Sequence, residues 1–205
     1  MITENELEKM NRDYSALFRQ YGDDEKSLGW NKPKQRIRFE IFYTMMLRHK
    51  FWQGRELVRL LDIGCGLGHF SEFLAEQKLN VQYIGIDPNI EFINSCKKKF
   101  PEGLFYNSLF NGDFYDCEIV CASGVFNRKF DQSFQNIQNF FKQSQNASVK
   151  LILANFLHIG ALEKYETNYY SSIAEIENII DRTLVSGFEI DAFTLPGEFS
   201  ICLIK

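Results

Sequence analysis

The chain has 205 residues, 45% hydrophobic and 24% charged, with a net charge of −4. That length supports one domain with a real core, and the proportions are those of an ordinary globular protein rather than a disordered one. The acidic balance argues against broad binding to a phosphate backbone, so no nucleic-acid partner is expected.

In chain order, Leu7, Met10, Tyr14, Leu17 and Tyr21 recur at steps of three and four and predict a first helix. "YGDDEKSLGWNKP" breaks that pattern with Gly22, Gly29 and Pro33. "QRIRFEIFYTMMLRHKFW" then predicts a second helix, with Ile37, Ile41 and Met45 at i+4 spacing. Residues 1–54 are therefore expected to form a helical extension or lid, and 55–205 the ligand-binding domain.

From residue 57 strand and helix signals alternate. "LVRLLDI", "VQYIGID", "GLFYNSL", "CEIVCASGVF" and "VKLILANFL" predict five strands. "FSEFLAEQK", "NIEFINSCKKKF" and "DQSFQNIQNFFKQSQ" predict helices between them, the last capped by Asp131. Lys97, Lys98 and Lys99 fall where they complement a helix dipole. "SSIAEIENIIDRTLVSG" predicts a long final helix, opened by a Ser172–Glu175 capping box and closed by Gly187. "FEIDAFTL" and "EFSICLI" follow as two strands around a tight turn at Pro196-Gly197. Such alternation implies an α/β fold: a parallel sheet covered by helices on both faces, with an antiparallel edge. The 20 Phe point to aromatic packing or a self-association surface.

"VRLLDIGCGLGHF" asks why three glycines fall within five positions. At the carboxyl end of a strand in such a sheet, Gly64, Gly66 and Gly68 permit positive φ and let a ligand touch main chain. A dinucleotide fold needs a third glycine at position 69, where this chain has His69. Asp62 before the turn would repel a phosphate and attract a cationic amino or sulfonium group. Asp87, at the end of the second strand, is placed to accept hydrogen bonds from a ribose diol.

In these stretches the chain resembles the class I S-adenosylmethionine-dependent methyltransferases, over residues 55 to 205. "LLDIGCGLG" resembles the first family motif and "YIGIDPN" the second. The resemblance implies a Rossmann-like seven-stranded methyltransferase sheet with an antiparallel final strand, and S-adenosylmethionine as cofactor. Asp62, Gly64, Cys65, Gly66, Gly68, Asp87 and Pro88 would then line the cofactor. "CEIVCASGVFN" resembles the fourth-strand motif with Glu118 in place of the usual aspartate, and places Ala122 and Ser123 near the methionine portion. The family's acid after the third strand has no counterpart; Asn107 or Ser108 stands nearest that place.

The expected reaction moves a methyl group to an oxygen or nitrogen of a small molecule, a sugar, a surface-glycan precursor or a phosphate-type oxygen among them. His158, at the end of the fifth strand, is the candidate general base, although a loop histidine bonded to backbone explains it as well. Trp30 and Arg38, with Gln35 and Arg36, are candidates for closing a lid over the cofactor; an ordinary helix start explains them too. Tyr165, Tyr169 and Tyr170 are candidates for shaping the acceptor pocket. The rival readings are a non-catalytic cofactor-binding protein and a nucleic-acid methyltransferase, the latter without a basic run or a base-flipping tetrad. The N-terminus is too polar for a signal peptide and no apolar run would span a membrane. Five scattered cysteines with no CxxC spacing predict neither disulfides nor a metal site. A cytoplasmic monomer or homodimer is expected.

Overall fold

A computed structural model describes residues 2–30, 32–49 and 57–205. Helix α1 (Glu4–Tyr21) leads to a 3-10 turn (Glu25–Leu28) and helix α2 (Lys32–Arg48). Then come β1 (Val58–Ile63), α3 (His69–Glu76), β2 (Val81–Asp87), α4 (Ile90–Lys99), β3 (Leu104–Asn107) and β4 (Ile119–Ala122). A 3-10 turn (Val125–Asn127), α5 (Ser133–Asn146), β5 (Leu151–Leu157), α6 (Ile173–Glu177), β6 (Gly187–Asp191) and β7 (Glu198–Ile204) complete the order. Among the described residues the strands form one seven-stranded sheet, β3-β2-β1-β4-β5-β7-β6. β1 to β5 run parallel, and β7 runs antiparallel to both β5 and β6. The order of building reverses between β1 and β4, so a crevice opens at their carboxyl tips.

Both faces of β1 are covered, as a continuous aliphatic run requires. Leu61 and Ile63 pack with Val120, Ile152, Ile137 and Phe141 on one side. Val58 and Leu60 pack with Phe39, Phe42, Met45 and Phe70 on the other, so α2 is part of that layer. The phenylalanines are spent largely on internal packing: Phe126, Phe156 and Phe199 stack in succession at 5.4 and 5.2 Å. All five cysteines are free and buried. No helix among the described residues is long and apolar enough to cross a membrane.

Several local expectations change. The long final helix is short: α6 keeps its Ser172–Glu175 capping box but ends at Glu177. Gln145 explains the break, because its side chain bonds both Asp181 N and Asp181 O and turns the chain there. Gly187 opens β6 instead of closing a helix. Asp131 does not cap α5, which starts at Ser133 with no side-chain cap bond. Ser133 Oγ meets the Phe130 main chain instead. The β6–β7 connection is wider than a tight turn, since Asp191 pairs with Ser200. The proposed boundary between residues 54 and 55 lies outside the described residues, as do the last residues of the second predicted helix.

Candidate functional site

After Ile63 the chain enters its bend with Gly64, Gly66 and Gly68 at φ of +70°, +54° and +75°. Side chains are strained in that region. Space is short as well: a Cβ on Gly64 would stand 2.6 Å from Val125, and one on Gly66 2.9 Å from Leu28. The bend is fastened to the tip of β2, because Gly64 N and Cys65 N donate to Ile86 O and Gly66 N donates to Asp87 Oδ2 at 3.0 Å.

Asp87 is buried, and its Oδ1 accepts from Asn89 N at 2.8 Å. Burial pushes its carboxyl up to about 6, against the pull of these two main-chain donors. Asn107 Nδ2 and Ser108 N both donate to Asp87 O at 3.1 Å, so the tip of β3 joins the group. Gly66, Asp87, Asn107 and Ser108 therefore meet at one place. Ala122 is buried and Ser123 half-buried at the tip of β4. Pro88 stands between Asp87 and Asn89, with its carbonyl accepting from Asn11 Nδ2 of α1.

Other predicted residues sit differently. The Cys65 side chain turns behind the bend and packs with Ile93, Cys96 and Phe105, leaving only its main chain forward. Asp62, expected to offer charge to a cationic ligand, instead ties β1 to its neighbours: Tyr83 O–H donates to Oδ2 and Cys121 Sγ lies 3.4 Å from Oδ1. Burial pushes its carboxyl up to about 7, so it titrates close to neutral pH. Arg38 is 1% exposed and binds Glu198 through two bonds of 2.6 and 2.7 Å. Asn155 Nδ2 donates to the same carboxylate. Trp30 lies over the Arg38 guanidinium at 3.7 Å and presses on the β4 loop, where a Cβ on Gly124 would be 2.7 Å from its ring.

His158 follows β5, and its Nδ1 accepts from Gly160 N at 3.1 Å. The neutral ring then carries its proton on Nε2 and presents a donor. His69 Nε2 lies 3.0 Å from Asp23 Oδ1, beside a Lys99–Asp23 ion pair. Arg36 points elsewhere, pairing with Glu40 and Glu76. Tyr165 is exposed, while Tyr169 O–H donates to Glu175 and Tyr170 Oη accepts from Tyr165 N. Tyr165 and Tyr170 thus meet at a main-chain bond, while Tyr169 turns to α6.

A cover from residues 1–54 was expected around Trp30, but not the parts that Leu28 and α1 play in it. Leu28 lies on Gly66, and α1 reaches across the strand tips. Tyr14 and Phe18 pack on Phe92, Asn89 Nδ2 donates to Asn11 O and Ser15 Oγ, and Asp13 pairs with Arg128. Two surface clefts of about 490 and 520 Å³ open elsewhere, one along α5 and one beside Glu6 and Arg128. Neither is lined by the glycine bend, against which Leu28 and Val125 stand.

Residues 60–145 match the family described as Methyltransferase domain. No curated protein matches the chain in sequence. Among solved structures, a SAM-dependent methyltransferase from Leishmania major is 13% identical with a TM-score of 0.66, the match covering 97% of this chain and 82% of that one. The magnesium protoporphyrin IX methyltransferase of Synechocystis PCC 6803, solved with bound SAH, is 13% identical over 83% of this chain and 84% of that one, with a TM-score of 0.57. Phosphoethanolamine N-methyltransferase 2 of Haemonchus contortus, in complex with S-adenosyl-L-methionine, is 12% identical over 72% and 48%, with a TM-score of 0.56. At such identities the likeness is one of fold. Residues 60–145 thus carry a match to the methyltransferase domain, and the strand order is that of the Rossmann-like methyltransferase fold.

Proposed function

We propose that the chain transfers a methyl group from S-adenosylmethionine to an oxygen or nitrogen atom of a small molecule. The observation that carries this reading is the side-chain-free bend fastened to Asp87 at the strand switch point. Once Leu28 and Val125 move aside, the bend suits a nucleoside, because Gly64, Gly66 and Gly68 offer it bare main chain. When bound, the cofactor supplies an electrophilic methyl group on a sulfonium.

The chain's own share is placement. Each Asp87 oxygen uses one lone pair on a main-chain donor and keeps another for a ribose hydroxyl. Asn107 and Ser108 stand beside it to meet the adenine edge, and Ala122 and Ser123 flank the amino-acid portion. Leu28 and Trp30 form the underside of a cover that lifts to admit the cofactor and excludes water on return. Alignment of the acceptor is the main catalytic term. His158 serves as a base only once Gly160 N releases its Nδ1; until then it donates. Five unpaired thiols suit a reducing, cytoplasmic setting.

S-adenosylhomocysteine should raise the melting temperature, since a native-state ligand at about 100 times its Kd adds ~2.7 kcal/mol. In Asp87→Ala the affinity should fall at least about tenfold by calorimetry, because two charge-assisted bonds are lost. An unresponsive wild-type chain overturns the proposal.

A further inference from the structure

Asn127 ends the 3-10 turn that follows β4. Its main chain is fully engaged, with N donating to Gly124 O at 3.3 Å and O accepting from Tyr169 N at 2.9 Å. Its side chain is not engaged. The residue is 4% exposed, yet neither Nδ2 nor Oδ1 has a hydrogen-bond partner among the described residues. A buried carboxamide left this way costs stability, so it calls for a partner.

Position says where that partner comes from. Asn127 Nδ2 would lie 3.5 Å from a Cβ on Gly124, the same glycine on which the Trp30 ring closes at 2.7 Å. Trp30 is held from below by Arg38, and Arg38 by Glu198. The unpartnered amide thus stands at the β4 tip, on the far side of the bend from Asp87 and Asn107 and beside a braced aromatic wall.

We propose that Asn127 reads the methyl acceptor, and that the acceptor presents there a neutral group able both to donate and to accept, such as a polyol hydroxyl or an amide. This deepens the methyltransferase reading and rests on it. A carboxamide offers one donor face and one acceptor face with no net charge. A phosphate would serve Nδ2 but repel Oδ1, and an ammonium would serve only Oδ1. The two arginines that border this wall are engaged, Arg38 with Glu198 and Arg128 with Asp13. A site built to hydrogen-bond a hydroxyl discriminates strongly against analogues that lack one.

The test uses the full chain with methyl-labelled S-adenosylmethionine. The acceptors are two sets: free hexoses, N-acetylhexosamines and glycerol, against hexose 6-phosphates and ethanolamine. Label should enter the neutral set. Asn127→Leu and Asn127→Asp should each lower kcat/KM by about fiftyfold while S-adenosylhomocysteine affinity stays within about twofold. Asn127→Leu should also melt no lower than the parent, because it removes a polar group that has no partner in the free chain. A purely structural asparagine would give the opposite pair of results, lower melting with unchanged turnover.

Transfer confined to the phosphates or ethanolamine, transfer to none of these compounds, or full turnover in Asn127→Leu overturns the assignment. So does an equal loss of S-adenosylhomocysteine affinity, which would move Asn127 to the cofactor. If Asn127→Leu does not fold, Asn127→Asp and Asn127→Gln decide by the same readouts. A wild-type chain that never binds S-adenosylhomocysteine is a separate outcome, and it removes the methyltransferase reading together with this one.

Discussion

The two N-terminal helices are nearly equal in length, 18 and 17 residues, but are built in opposite ways. None of the residues of α1 is buried, and it meets the head of α4 through Tyr14 and Phe18 on Phe92 and through side-chain bonds such as Asn89 to Ser15 and Arg19 to Glu91. Helix α2 buries Phe39, Ile41, Phe42, Met45 and Met46, and it sinks Arg38 onto Glu198. One helix is laid on the domain and the other belongs to it. The difference teaches that a cover and its hinge need not share a mode of attachment. Leu28 and Trp30 lie between the two helices, so the proposed cover is anchored on one side by core and on the other by a half-buried helix.

The sharpest way to break this contrast is to compare buried with exposed charge. Glu198→Ala should cost about 3–5 kcal/mol in urea unfolding, since it leaves Arg38 charged and buried beneath Trp30. Replacing both partners by apolar residues should recover much of that loss. Asp62 comes next, as a buried acid whose partners are a phenol and a thiol rather than a cation. Its folded pKa of about 7 lies above the ordinary 3.8, so the folded chain holds the proton more tightly. That contribution is fully present below the unfolded pKa and is lost as pH rises through about 7. Melts between pH 5 and 8.5 should show a decline on the order of a few kcal/mol, and Asp62→Asn should leave only the part below about pH 6 that Asp87 supplies. The smallest effect is Arg19→Ala, where a side chain 72% exposed makes its ion pair with Glu91. It should change stability by less than about 1 kcal/mol and lose even that in high salt. If Arg19→Ala matched Glu198→Ala, the distinction between the helices would collapse.

The sheet and the bend were legible because their signals are local. Aliphatic strands, spaced glycines and an acid at the next strand end are all written within short windows. Asp87 with Asn107 and Ser108 follows from the same arithmetic, since parallel neighbours end at one edge. Leu28 over Gly66 was not legible, because nothing in "EKSLGW" records which backbone it will cover. Arg38 and Glu198 are 160 positions apart, so their pairing exists only once β7 lies beside β5. The raised pKa of Asp62 was hidden for a similar reason: burial causes it, and Tyr83 and Cys121 close on the carboxyl from the two flanking strands. Asn127 left no mark in the sequence, because what distinguishes it is the lack of a partner. The long final helix failed where one tertiary contact, from Gln145 to Asp181, overrode a favourable run.

The thiols behind the bend carry a further consequence. Cys96 Sγ lies 3.3 Å from Gly66 O, Cys65 packs beside it, and burial raises the Cys65 thiol well above its ordinary value. An alkylating reagent meets these sulfurs only when the loop parts from the layer beneath, because the reactive thiolate is scarce and shielded while it stays shut. Slow uptake of label at these two sulfurs should therefore time the parting of the loop, and a nucleoside seated on the bend should silence it.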